Sequence, residues 1–137
     1  MTYRTQLAAR AVLAGGIAAF FAACGGSSPG TGPSTGGTCT AGSTSTTITI
    51  SNNSVCPQNI TVPRGTQVTF VNNDSRTHEM TSDPHPEHTD CPEINQVGFI
   101  SPGQTKLTGN LNTRRTCGFH DHDQPTSASL QGSIVIK

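Results

Sequence analysis

There is no tryptophan in this 137-residue chain, and its one tyrosine, Tyr3, lies at the very start. A core must therefore be built from Ile, Val, Leu and the five phenylalanines. Charge is equally sparse: 12% of residues are charged and the formal net charge is zero. No basic run is present, which argues against nucleic acid and against an acidic membrane surface as a partner. Eight Lys and Arg, less Arg4 and Arg10, leave six from Thr46 onward (Arg64, Arg76, Lys106, Arg114, Arg115 and Lys137) against all eight acids. That part is mildly acidic, so a basic partner is permitted but not required. No stretch keeps a helical period over three turns, and no internal repeat is found. There is no phosphate-binding loop, no Ser-His-Asp set with recognisable spacing and no pair of carboxylates in an apolar setting. The sequence therefore gives little ground for an enzyme. The length suits one domain, and the abundance of Thr and Ser suits strands and turns.

The first 24 residues read as a targeting segment. Arg4 and Arg10 give a positive start, and "AVLAGGIAAFFAAC" follows as an apolar run too short to span a bilayer comfortably. Its end, "FAAC" before Gly25, resembles a bacterial lipobox, in which a signal peptidase cuts before the Cys and the thiol of Cys24 carries a lipid. The alternative is ordinary secretion with cleavage nearby. Either reading places the mature protein in the cell envelope, on the periplasmic face, lipid-anchored or secreted. Residues 25–45, "GGSSPGTGPSTGGTCTAGSTS", read as a flexible tether that cannot bury a core.

Residues 46–137 read as an all-β domain, a β-sandwich by size and pattern. "TTITIS" alternates, with Ile48 and Ile50 on one face. "NITV" and "QVTFVN" flank a turn marked by Pro63 and Gly65, and Val68 and Phe70 share a face. "SPGQTKLTGNL" and the closing "SIVIK" supply further strands. Between Thr81 and Gly98 runs a long loop with three prolines and no periodicity; loops of that length in a compact domain are usually functional.

All five histidines fall between residues 78 and 122: His78, then His85 with His88, then His120 with His122. They flank or follow predicted strands, so one edge of a sandwich can gather them. The order of a strand, "VPRGTQVTFVNND", a His, then "SPGQT", Cys-x-x-His and a final "GSIVI" resembles the cupredoxins, the plastocyanin-like blue (type 1) copper proteins. The resemblance covers residues 46–137 and implies a Greek-key β-sandwich holding one copper ion, Cu(II) or Cu(I). It implies His78 as the first imidazole ligand, Cys117 as the thiolate and His120 as the second imidazole, with Gly132 as the last-strand glycine. A trigonal His₂Cys site with a weak axial ligand suits electron transfer. Leu130 stands where an axial Met is usual, and leucine cannot ligate. His122 is the first candidate to replace it, and Met80, which would share a strand face with His78, is the second. His85 and His88 are either solvated loop residues or a second, weaker metal site, with Asp83, Glu87 or Asp90 as oxygen donors. Asp121 and Asp123 are either solvated loop charges or carboxylates that orient metal-bound imidazoles.

Five cysteines complicate this picture. If Cys24 is lipidated or removed and Cys117 binds copper, Cys56 and Cys91 are the preferred disulfide and Cys39 is left over. The rival arrangement pairs Cys39 with Cys56 and Cys91 with Cys117, uses every thiol, and leaves an all-imidazole site that would not be blue. The placement of Cys-x-x-His favours the thiolate. Two functions follow from the resemblance. One is a monomeric, tethered electron carrier for a redox partner such as a cytochrome or copper oxidase, docking through Phe119 and neighbouring apolar groups. The other is a copper chaperone or buffer with a copper-delivery partner.

Overall fold

The computed structural model describes residue 39 and residues 43–137. The targeting segment 1–24, its Cys24 and most of the 25–45 tether lie outside the described residues. Nine strands form two sheets. β1 (Thr47–Ser51), β2 (Ser54–Cys56), β4 (Thr69–Asn72) and β7 (Thr105–Leu107) make a four-stranded sheet in the order β2-β1-β4-β7. β3 (Asn59–Val62), β5 (His78–Ser82), β6 (Gly98–Ile100), β8 (Thr116–Asp121) and β9 (Gln131–Ile136) make a five-stranded sheet in the order β3-β9-β8-β5-β6. The pairs β1–β4 and β3–β9 are parallel and the rest antiparallel. Among the described residues no helix is long and apolar enough to cross a membrane.

The alternating segments become the strands that wall the core. Ile48 and Ile50 of β1, Phe70 of β4, Ile60 and Val62 of β3, and Ile134 and Ile136 of β9 are all buried between the sheets. A strand turns successive side chains to opposite faces, so one alternating run fills one side of the core. Phe70 and Phe119 meet edge to face across the sandwich, with ring centroids 5.4 Å apart. Burying each such side chain is worth roughly 1.5–3 kcal/mol. Gly132, directly opposite Phe119 in the β8–β9 ladder, has no room for a side chain: a Cβ there would strike the Phe119 ring and the Gln58 carbonyl.

Three strands escape a pattern reading. β2 follows a two-residue Asn52-Asn53 turn, both residues at positive φ (50° and 56°), a hairpin geometry that Asn tolerates. β6 is only three residues long. β5, "HEMTS", holds ionisable residues on both faces yet lies inside its sheet, between β8 and β6. The expected tether also ends sooner than residue 45. Ser43 pairs with Ile60, and Cys39 is joined to Cys56.

The second bridge joins Cys91 to Cys117 across a sequence separation of 26. The expected Cys56–Cys91 bridge is thus replaced by the rival pairing, and no described cysteine is left over. The physical reason is placement: after β5 ends, the 83–97 loop turns around the end of that strand and sends Cys91, Ile94 and Val97 into the core. Cys117 on neighbouring β8 faces the same interior, opposite Ile134.

Candidate metal centre

Strand periodicity decides which histidines meet. On β8, Cys117, Phe119 and Asp121 point into the sandwich, because Phe119 touches Phe70 of the other sheet. His120 and, one step past the strand, His122 therefore point outward. The His122 backbone N–H donates to the Glu79 carbonyl at 2.8 Å, so the ladder runs on through it. A Cys-x-x-His spacing puts its two ends on opposite faces when all four residues lie in one strand. Cys117 cannot share an ion with His120 here, and its sulfur is bonded to Cys91. This corrects the thiolate ligand expected from the sequence.

His78 is on the inner face as well. It is fully buried, its Nδ1 is 2.6 Å from the buried Asp121 carboxylate, and its Nε2 is 3.3 Å from Asp74. The backbone N–H groups of Asn53 and Ser75, more than the His78 ring, hold the Asp74 carboxyl below its ordinary pKa. His78 is thus tied into a carboxylate network on the opposite face from His120. Met80 is also buried inward, as is Leu130, and neither reaches the outer face. Phe119, expected at a docking patch, is fully buried; Phe99 and Leu107 are the exposed large apolar residues among those described.

The outer face gathers the other four histidines. One ring nitrogen from each of His85, His88, His120 and His122 lies within 4.8 Å of the others. The two pairs expected to act separately form one group. Strand β8 presents His120 and His122 two residues apart on one face. The loop after β5 lays His85 and His88 over them. Ring centroids in the group are 4.9–5.6 Å apart where they face one another. His122 Nδ1 and His88 Nε2 are 3.2 Å apart.

Two features fix the group. His120 Nδ1 is 2.6 Å from the Asp83 carboxylate, which leaves Nε2, 3.3 Å from the Thr81 hydroxyl, as the donor atom for an ion. A carboxylate behind an imidazole orients it and raises its basicity. Gly118 is the seat for that carboxylate: a Cβ at Gly118 would collide with the Asp83 side chain. Asp83 was visible in the sequence only as an oxygen donor, and nothing there linked it to Gly118. If copper binds here, Asp83→Asn and Gly118→Ala are both expected to weaken its binding by roughly 10–100-fold. Isothermal titration checks this. The Asp83 side chain is 43% exposed and free to swing out, so both variants should keep the fold.

The second feature is the backbone of the loop. The His88 N–H donates to the Pro84 carbonyl at 2.7 Å, and the Asn95 side chain donates to the His88 carbonyl at 2.8 Å. Burial, and then the charges of His120, His122 and His85, push the pKa of His88 down from its ordinary value. Below about pH 6.5 the unfolded chain takes up a proton that folded His88 refuses, so stability falls as pH drops. Metal-free protein should therefore melt lower at pH 5.5 than at 7.5, and His88→Gln should flatten that difference. Differential scanning calorimetry of both forms checks it.

The donor set fits a metal ion. Imidazole nitrogens sit about 2 Å from a transition metal, which places four of them roughly 3 Å apart. With their nitrogens within 4.8 Å of one another, the four rings would have to draw together to reach that spacing around an ion. Four borderline nitrogen donors without a thiolate suit Cu(II) or Zn(II).

No family model matches the chain, and no curated protein matches it. Many solved structures do share its fold. A purple cupredoxin from Nitrosopumilus maritimus is 18% identical with a TM-score of 0.52, over 66% of this chain and 98% of that one. The oxidised form of plastocyanin from Dryopteris crassirhizoma is 20% identical with the same score, over 66% and 99%. A variant of amicyanin in its Cu(I) form is 15% identical, again at 0.52, over 66% and 80%. At these identities the likeness establishes the fold alone: the chain carries a cupredoxin-like β-sandwich, as the family resemblance implied.

Proposed function

We propose that this cupredoxin-fold chain is an exported copper-binding protein with one mononuclear, non-blue site made of His85, His88, His120 and His122. Its work on this reading is copper handling in the cell envelope: binding, buffering and delivery to a partner. One observation carries the proposal. Four imidazoles converge within 4.8 Å, while Cys117, the cysteine beside them in sequence, is locked in a disulfide with Cys91. Among divalent first-row ions such a nitrogen set binds Cu(II) most tightly. The fold's solved neighbours include one described in its Cu(I) form. Two disulfides fit an oxidising compartment, in keeping with export by the 1–24 segment and with an anchor at Cys24.

A bound copper ion supplies a Lewis-acidic centre that can exist as Cu(II) or Cu(I). Asp83 would orient His120 toward it, and burial of His88 disfavours the protonated form that cannot ligate. Electron transfer is the second reading. It is favoured by neighbours described in oxidised and Cu(I) forms, and it would run through the same four histidines to a cytochrome or copper oxidase. In either role the protein acts as a monomer and not as an enzyme. The test is titration of the metal-free protein with Cu(II). One equivalent should bind tightly, and a His88→Ala, His122→Ala double variant should lose that binding. Equal binding by the double variant would end the proposal.

A further inference from the structure

We infer that His85 is the exchangeable ligand of this site, the one through which the metal ion enters and leaves. The inference rests on the four-histidine reading above and adds an order among the ligands. His120 is 2% exposed and is held by Asp83 and Thr81. His88 and His122 are half-buried, meet each other at 3.2 Å, and have their backbones tied to Pro84, Asn95 and Glu79. His85 is exposed, and no hydrogen bond holds its ring among the described residues. Its ring centroid lies 5.0–5.6 Å from those of the other three imidazoles. The flanking Pro84 and Pro86 stiffen the backbone, so the ring can swing out without the loop moving.

Three inner ligands therefore retain an ion while the fourth position opens outward. An imidazole of an acceptor protein fits that position, because as a neutral, monodentate nitrogen donor it matches the ligand it replaces. Thiols are disfavoured in the oxidising compartment that two disulfides indicate. In the exchange, the bond from His85 Nε2 or Nδ1 to the ion breaks and one from the incoming imidazole forms. No proton or electron changes hands, and the oxidation state is kept. The exposed residues that neighbour His85 in sequence, Pro84, Pro86, Glu87, Thr89 and Asp90, include no large apolar side chain. That suits a brief encounter rather than a lasting complex.

Chemical rescue tests the order. His85→Gly and His120→Gly are made in the full chain, loaded with Cu(II), and followed by electron paramagnetic resonance and by competition with a chelator. His85→Gly should still bind one equivalent, at least about tenfold more weakly. Millimolar imidazole should then restore the wild-type spectrum. His120→Gly should not be restored, because its ring position is closed to solvent. Wild-type protein should also release copper to imidazole faster as imidazole is raised. A His85→Gly spectrum and affinity identical to wild type would overturn the inference by showing that His85 is no ligand. Rescue of His120→Gly alone would overturn it by reversing the order. Failure of wild-type protein to bind Cu(II) would instead sink the underlying reading and this inference with it.

Discussion

His120→Ala should weaken Cu(II) binding by more than about 100-fold, because even second-layer partners of a metal ligand cost 10–100-fold when removed. The fold should survive. Asp83, its hydrogen-bond partner, is 43% exposed and stays hydrated when the imidazole is gone. His78→Gln should do the reverse. It leaves the fully buried Asp121 carboxylate short of its 2.6 Å partner, and losing a hydrogen bond to a charged group costs roughly 1.5–3 kcal/mol. Its effect on copper should be far smaller than that of His120→Ala, since His78 faces the interior and His120 the outer surface. Calorimetric melting and Cu(II) titration of the two variants separate the effects. A His78 variant that lost copper as fully as the His120 variant would mean that the inner imidazole is a ligand.

Removing the Cys91–Cys117 bridge should have the next largest effect. The double variant Cys91→Ala, Cys117→Ala lifts a constraint spanning 26 residues, worth roughly 3 kcal/mol in the chain-entropy account. The bridge also fastens the loop that carries His85 and His88 to the strand that carries His120. Copper affinity should fall with stability, because an unfastened loop must be ordered again when the ion binds. Cys91→Ala alone is more telling. It frees the Cys117 thiol, which still faces the core and not His120, so copper should remain free of an intense charge-transfer band. Denaturant melts and absorption spectra of both variants check these outcomes. An intense blue colour in Cys91→Ala would show that the thiol can swing to the metal.

The sandwich was legible because its strands are half-buried. Ile48 and Ile50, Val68 and Phe70, and Ile134 with Ile136 alternate with polar residues and mark their own inner face. β5 was hidden because it reads as "HEMTS": its inner-face residues include His78, held by Asp121, and Ser82, whose backbone N–H donates to Asn95 while its buried Oγ finds no hydrogen-bond partner among the described residues. The histidine cluster was legible as crowding, and the 81–98 loop as a long stretch without periodicity. The ligand set was not. Family spacing pointed to His78, Cys117 and His120, a set that needs the strand to end before the histidine. Here β8 continues through Asp121, so periodicity splits that set between two faces. The cysteine count allows the observed pairing as the alternative to Cys56–Cys91. Only the path of the loop around the end of β5 chooses between them.

The most direct measurement is the visible absorption spectrum of metal-free protein, expressed through export so that its disulfides form, after one equivalent of Cu(II). Four-imidazole coordination gives a weak, pale ligand-field band and nitrogen hyperfine structure in the paramagnetic resonance spectrum. An intense blue or purple band would mean a Cys117 thiolate on the metal, and it would contradict both the four-histidine site and the bridge that leaves no thiol to make one.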